Sequence, residues 1–334
     1  MNTKRIISLV ASLALVLSLS VGLTGCGDKA AQDDNQGSTD GEGTKYTVGI
    51  CQLVQHEALD AATQGFIDAL NEALPGQVEF QNKNASGDSA NCSTIVNGFV
   101  SDGVDLIMAN ATPALTAAAA ATSDIPILGT SITAYGVALD IDDFNGTVGG
   151  NISGTSDLAD LEAQANMITE WFPDAQKVGL LFCSAEPNSR YQIEEVAKYL
   201  SDKGIETQEF AFTDTNDVAS VTQSAADYSD VVYVPTDNTA ASNTEAIANV
   251  TVPAKTPVIA GEEGICKGCG VATLSISYYD LGMTTGKMAA KILTGEADIS
   301  TMPIEFTTAT PKYNASMCET LGITPLEGYT AIAE

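Results

Sequence analysis

The chain has 334 residues and a formal net charge of −29, from 43 acidic and 14 basic side chains. A charge of this sign repels nucleic acid phosphates and anionic lipid headgroups, so it argues against a nucleic-acid or membrane-surface role. The sequence from residue 45 onward is long enough for two domains of ordinary size.

The first 26 residues predict an export signal. Lys4 and Arg5 precede an almost wholly apolar run, 6–23, which ends in Leu-Thr-Gly-Cys26. A basic start, a short apolar core and a small-residue cleavage site are typical of a signal peptide, here 1–25. The last four residues resemble a bacterial lipobox, which implies lipidation of Cys26 and an extracytoplasmic protein anchored to the bacterial cell membrane. A transmembrane anchor is the alternative, because the run nearly spans a bilayer.

Residues 26–44 contain almost nothing apolar and predict a flexible acidic tether. After it, short apolar runs alternate with amphipathic segments. Strands are predicted at 46–53, 78–81, 105–109 and 125–129, with helices at 56–74, 88–102 and 113–122. The pattern restarts with strands at 177–182, 206–211, 230–234, 257–260 and 271–275, and helices at 189–202, 218–228, 243–250 and 281–293. This alternation predicts an α/β fold of two doubly wound, parallel-sheet lobes.

The cysteines give no clear metal site. Cys51 and Cys183 end apolar runs and are interpreted as small buried residues. Cys266 and Cys269 are the only close pair, and a loop disulfide or two free thiols are favoured over a redox or metal role, because the chain has one histidine. The acidic run 140–145 departs from the EF-hand order and favours a solvated turn over a calcium site. No cofactor is predicted.

Ligands of doubly wound sheets bind beyond the carboxyl ends of the strands. The loops there carry many hydroxyl, amide and carboxylate groups: Gln52, His56, Asn110, Thr112, Ser131, Glu186, Asn188, Thr236, Asp237, Asn238, Glu262 and Tyr278. Each residue alone is explained by helix capping or turn formation. Together they are complementary to a zwitterion such as an amino acid. No motif of a serine hydrolase, P-loop or zinc protease is present in the sequence, so an enzyme is not predicted.

Five spaced motifs resemble the ABC transporter substrate-binding proteins linked to tryptophan and tyrosine uptake. They are VGICQLVQHEALD at 48–60, SAEPNS at 184–189, YVPTDN at 233–238, EEG at 262–264 and GKMAAKIL at 286–293. The resemblance implies a type I periplasmic-binding-protein fold whose lobes are joined by a three-crossover hinge. Lobe one would comprise 45–154 plus 276–301, and lobe two 155–275 plus 302–334.

The resemblance implies a monomeric binding protein that captures an aromatic amino acid and delivers it to an ABC permease with its ATPase. In this hypothesis Asp237, or else Glu262, binds the ammonium. The carboxylate is assigned to Asn110, Thr112 and Ser131, and the side-chain pocket to Gln52, His56, Leu59 and Tyr278. The alternatives are another cargo (a branched amino acid, a nucleoside or a short peptide) and a ligand sensor for a membrane receptor.

Overall fold

A computed structural model of the chain describes residues 45–333. The predicted signal peptide, Cys26 and the tether lie outside the described residues. The strands are β1 (Tyr46–Gln52), β2 (Val78–Asn84), β3 (Leu106–Asn110), β4 (Ile127–Ile132), β5 (Ile152–Ser156), β6 (Lys177–Cys183), β7 (Glu206–Phe212), β8 (Val231–Val234), β9 (Val258–Ala260), β10 (Ala272–Ser275), β11 (Glu305–Phe306), β12 (Thr310–Tyr313) and β13 (Thr330–Ala331).

Helices connect most of these strands. They are α1 (Glu57–Ala73), α2 (Ser89–Asp102), α3 (Thr112–Ala121), α4 (Tyr135–Ala138), α5 (Leu161–Trp171), α6 (Pro187–Asp202), α7 (Val218–Tyr228), α8 (Asn238–Ala241), α9 (Thr244–Ala254), α10 (Glu263–Cys269), α11 (Tyr278–Leu293) and α12 (Ala315–Leu321). No helix among residues 45–333 is both long enough and apolar enough to cross a membrane.

The strands form two sheets, of order β11-β5-β4-β3-β1-β2 and β13-β12-β10-β9-β8-β6-β7. Every pair is parallel except β10 with β12. We call each sheet with the helices packed on it the first and the second lobe. The two sheets and their crossover helices confirm the predicted α/β class.

The chain passes between the two sheets three times. It leaves the first sheet after β5, returns from β10 through α11, which packs on α1, and leaves again between β11 and β12. Because β11 pairs with β5, residues 305–306 lie in the first sheet, beyond the predicted boundary at Met302. The division into lobes at the predicted residues otherwise stays a prediction.

Five helices of the structure were not predicted, namely α4, α5, α8, α10 and α12. α5 follows β5 directly, and α10 occupies the segment of Cys266 and Cys269 that was interpreted as a loop. Glu262 explains α10, because its carboxylate accepts hydrogen bonds from the amides of Gly264 and Ile265 at the helix start. Both thiols are buried and free in the described structure, which agrees with the second of the two predicted alternatives, a loop disulfide or two free thiols.

Helices α1 and α11 approach each other unusually closely. A Cβ added to Gly282 would lie 2.0 Å from the carbonyl oxygen of Ala62, and one added to Gly65 would lie 2.2 Å from the carbonyl oxygen of Tyr279. Only glycine permits such contact between backbones. The contact fixes the first turns of α1 and α11 side by side, which places His56 and Tyr278 at the same end of the first lobe.

We predict that Gly282→Ala destabilises the protein, because its methyl group must displace the backbone of α1. The free energy of unfolding in urea should fall by about 2 kcal/mol or more. Gly98→Ala is the matched control, since Gly98 lies on the exposed face of α2 with nothing within 4 Å of its Cβ position. That variant should be neutral or stabilised by up to about 1 kcal/mol. Equal effects of the two substitutions would contradict the close approach.

Candidate ligand-binding cleft

The carboxyl ends of β1, β3 and β4 lie side by side in the first lobe. Gln52 pairs in register with Asn110, and Asn110 pairs with Thr130. The Ala111 amide donates to the carbonyl of Thr130, so the residues that follow β3 and β4 are also neighbours. The predicted residues Asn110, Thr112 and Ser131 are therefore brought together.

The backbone at these strand ends is unusual. Ala111 has φ of 90° and Ser131 has φ of 56°, although neither is glycine. Residues in such sparsely populated conformations cost free energy and cluster at ligand sites, where the surrounding structure holds them in place. This feature makes the ends of β3 and β4 a candidate functional region, and nothing in the sequence indicates it.

Four buried side-chain atoms at the strand ends have no hydrogen-bond partner among the described residues. They are Asn110 Oδ1, Thr112 Oγ1, Ser131 Oγ and Asn188 Oδ1. Leaving a buried polar group unpaired costs about 1–3 kcal/mol, so each needs an explanation. The first three lie at neighbouring strand ends of the first lobe, and Asn188 lies in the first turn of α6 in the second lobe.

Asp237 and Glu186, both predicted ligand residues, are engaged within the second lobe. Asp237 accepts from the amides of Cys183 at 2.6 Å and Ala240 at 2.8 Å, so it caps α8 and ties it to the end of β6. Burial and the Glu186 charge raise the pKa of Asp237. Glu186 accepts from the amide and side chain of Asn238 and from Thr239. These contacts leave both carboxylates well satisfied.

Glu262 and Thr236 lie at the ends of neighbouring strands of the second lobe. Glu262 is buried, caps α10, and has its pKa raised to about 7 by burial. Thr236 donates from its hydroxyl to the carbonyl of Gly261 at 3.3 Å.

Gln52 and Leu59, both predicted pocket residues, make contacts within the first lobe. Gln52 Nε2 donates to Asp60 at 2.6 Å and to the carbonyl of Val54, and its Oε1 accepts from Thr63. Leu59 is fully buried in the core, and its carbonyl accepts from Asn110 Nδ2 at 2.8 Å. Thr63 also accepts from Asn110 Nδ2, at 2.9 Å. This network, which the sequence did not predict, fixes the orientation of Asn110 so that its oxygen stays unpaired.

His56 reaches across the cleft from the start of α1. Its Nε2 lies 3.3 Å from Asn238 Oδ1 at the start of α8 in the second lobe. Burial lowers the pKa of His56, with the Asn238 contact opposing the shift. Because Asn238 uses its Nδ2 to donate to Glu186, its oxygen is the acceptor, so His56 Nε2 carries the proton.

Asp157 is a buried carboxylate that sequence analysis missed. It follows β5 directly, at the first crossing between the lobes, and accepts from Thr133 Oγ1 at 3.0 Å and from Tyr278 Oη at 2.9 Å. A carboxylate has about four acceptor positions, so two neutral hydroxyls leave it under-satisfied. Burial raises its pKa. No Lys or Arg of residues 45–333 forms an ion pair with it.

Two cavities open between the lobes. One, of about 190 Å³, is lined by Leu53 and Val54 of the first lobe and by Glu186 and Asn238 of the second. The other, of about 240 Å³, is lined by Ala58, Tyr278 and Glu262 among others. No group of three or more metal-ligating side chains with the geometry of a metal site occurs in the part of the chain described here.

Comparison with known proteins identifies the class. Residues 47–333 match the family model of the ABC transporter substrate binding proteins. The chain is 34% identical over 308 residues to a tyrosine-binding protein of Clostridioides difficile, covering 89% of this chain and 86% of the relative. The chain therefore belongs to the ABC transporter substrate-binding protein family, as its motifs predicted. The relatives named for this family are binding proteins.

Solved structures of relatives share the fold, which confirms the type I periplasmic-binding-protein architecture. A Streptococcus pneumoniae domain in complex with L-Trp superposes with a TM-score of 0.82 at 31% identity, covering 86% of this chain and all of that chain. A ligand-free, open substrate-binding protein from Clostridium difficile superposes with a TM-score of 0.65 at 33% identity, covering 86% of this chain and 99% of that chain. The described structure is thus more similar to the complex than to the open form.

Proposed function

We propose that this protein captures an aromatic amino acid between its lobes and delivers it to an ABC importer. The observation that carries the proposal is the set of unpaired polar atoms at the strand ends, next to the buried carboxylate of Asp157. Hydroxyl donors and an uncompensated carboxylate are complementary to the two charges of a zwitterion. The ligands named for the relatives support the aromatic class.

The hydroxyls of Thr112 and Ser131 are assigned to the ligand carboxylate. Both are buried and without a partner among the described residues, so each has a proton to donate. Thr112 is also the first residue of α3, where free backbone amides and the helix dipole favour an anion. Asn110 differs, because its amide nitrogen already binds Leu59 and Thr63. Its remaining oxygen is an acceptor and fits the ligand ammonium better than the predicted carboxylate.

Asp157 is assigned to the ligand ammonium. Asp237 and Glu262, which the sequence suggested for this role, already accept hydrogen bonds from two backbone amides each. Asp157 accepts only from side-chain hydroxyls. Since an ammonium group would supply the missing donors and compensate the buried charge, it stabilises Asp157 more than the other two. The roles predicted for Gln52, His56, Leu59 and Tyr278 in the side-chain pocket stay predictions.

Closure of the lobes over the ligand is part of the proposal. His56 with Asn238 and Glu57 with Lys267 connect the lobes directly. The greater similarity to the L-Trp complex than to the open relative supports a closed arrangement. Closing the cleft would remove the ligand from water, which strengthens its contacts with the buried polar groups.

We predict that Asp157→Asn weakens binding of the aromatic amino acid more than tenfold in calorimetric titration, because a charge-assisted hydrogen bond contributes about 1.5–3 kcal/mol. Asp160→Asn is the matched control, since Asp160 is exposed three residues away and the change in net charge is the same. The affinity of the Asp160→Asn protein should be unchanged.

A ligand analogue that lacks the amino group tests the role of Asp157 more specifically. The wild type should bind this analogue much more weakly than the amino acid. In Asp157→Asn the difference in affinity between the amino acid and the analogue should be far smaller. Unchanged discrimination would remove Asp157 from the ammonium site.

We predict that Thr112→Val weakens binding about tenfold while leaving the ligand-free protein as stable as the wild type or more so. The hydroxyl has no partner among the described residues, so its removal costs no protein hydrogen bond. Thr273→Val is the control, because the Thr273 hydroxyl is buried and unpaired in β10, among the core strands of the second lobe. That variant should keep full affinity. Loss of affinity in both variants would attribute the effect to general repacking.

The membrane anchor is proposed from the sequence of residues 1–26. A cleaved signal and a lipid on Cys26 would hold the protein at the outer face of the cell membrane, where its permease lies. Cys26→Ser should then move the protein from the membrane fraction to the soluble extracytoplasmic fraction. A variant that stays in the membrane fraction would favour the transmembrane alternative.

A further inference from the structure

Strand β1 and helix α2 pack unusually closely in the first lobe. Gly49 and Cys51 face the same side of β1, because side chains alternate along a strand. A Cβ on Gly49 would lie 2.6 Å from the ring of Phe99. Because Gly49 has no side chain, Phe99 of α2 packs directly on the backbone of β1. Cys92 precedes Phe99 by about two helical turns and lies on the same buried face of α2.

This packing brings two thiols together. α2 lies in a parallel β-α-β crossover and runs against the direction of β1, so its first turns lie over the end of the strand, where Cys51 is located. Cys51 and Cys92 both have no exposed surface and belong to the same apolar core, and the neighbouring Cys92 raises the pKa of the Cys51 thiol. Both are free. Cys183 and Cys269 instead contact backbone carbonyls.

We propose that Cys51 and Cys92 are a redox pair that closes to an intramolecular disulfide when the exported chain folds in an oxidising environment. A small-molecule disulfide is the oxidant. The Cys51 thiolate attacks it and releases one thiolate, forming a mixed disulfide, and the Cys92 thiolate then attacks the Cys51 sulfur and releases the second. Two protein thiols are oxidised, one small disulfide is reduced to two thiols, and two protons leave the cysteines.

The bond would join two parts of the first-lobe wall of the cleft. Cys51 directly precedes Gln52 at the end of β1, and Ser86 and Gly87, which precede α2, line the cavity of about 190 Å³ together with Leu53. A cross-link between residues so far apart in sequence restricts the unfolded chain and so favours the folded one. The proposal predicts a more stable first lobe in the oxidised protein.

A peptide map tests the pairing directly. The full-length chain is unfolded, refolded with reduced and oxidised glutathione or with reductant alone, alkylated and digested with trypsin without reduction. Fragment 46–83 then contains only Cys51, and fragment 84–177 only Cys92. In the oxidised sample we expect the two fragments to be joined by a disulfide. The mass of the joined pair should be lower than the summed masses of the two free fragments by the mass of two hydrogens. The oxidised protein should also unfold at a higher urea concentration than the reduced one.

Two variants identify the bond. Cys92→Ala should abolish the linked fragments and the shift in the unfolding midpoint. Cys318→Ala, which removes another buried thiol in α12, should retain both. The wild-type map decides the question even if Cys92→Ala fails to fold. Full alkylation of Cys51 and Cys92 after oxidative refolding, or a link from either one to another cysteine, would overturn the proposal.

Discussion

The cleft buries four carboxylates, those of Asp157, Glu186, Asp237 and Glu262, and no Lys or Arg of residues 45–333 forms an ion pair with any of them. Burying a charge without compensation is costly, so donors must be supplied locally. Backbone amides at helix starts supply them for Asp237 and Glu262, and Asn238 and Thr239 supply them for Glu186. Asp157 alone relies on hydroxyls, and this difference singles it out as the charge that a ligand would complete.

The framework of the first lobe positions that charge and the unpaired hydroxyls. Parallel pairing of β1, β3, β4 and β5 brings their carboxyl ends to one edge, so Thr112, Ser131 and Asp157 become neighbours although they are distant in sequence. The glycine-mediated contact of α1 with α11 then places Tyr278 where its hydroxyl reaches Asp157.

Much of this architecture could be predicted from the sequence. Buried parallel strands such as β3 are continuous apolar runs, and α1 shows its core face at helical spacing, so both were recognised. α10 was missed because a seven-residue helix with two glycines and two cysteines has little helical pattern. The strand-end loops were located correctly, but Asp157 was missed because β5, Ile-Ser-Gly-Thr-Ser, has no apolar run. The hydrogen-bond donors of each buried carboxylate are supplied by tertiary contacts, and no local sequence pattern indicates these contacts.

We propose that the cleft is built for an aromatic zwitterion. The most direct test is calorimetric titration of the protein, first unfolded and refolded to remove bound cargo, with tryptophan, tyrosine, phenylalanine and leucine. We expect a Kd of about 1 μM or lower for at least one aromatic amino acid and binding of leucine at least about tenfold weaker. Binding of leucine as tight as that of the best aromatic amino acid, or no heat from any of the three aromatic ligands, would contradict it.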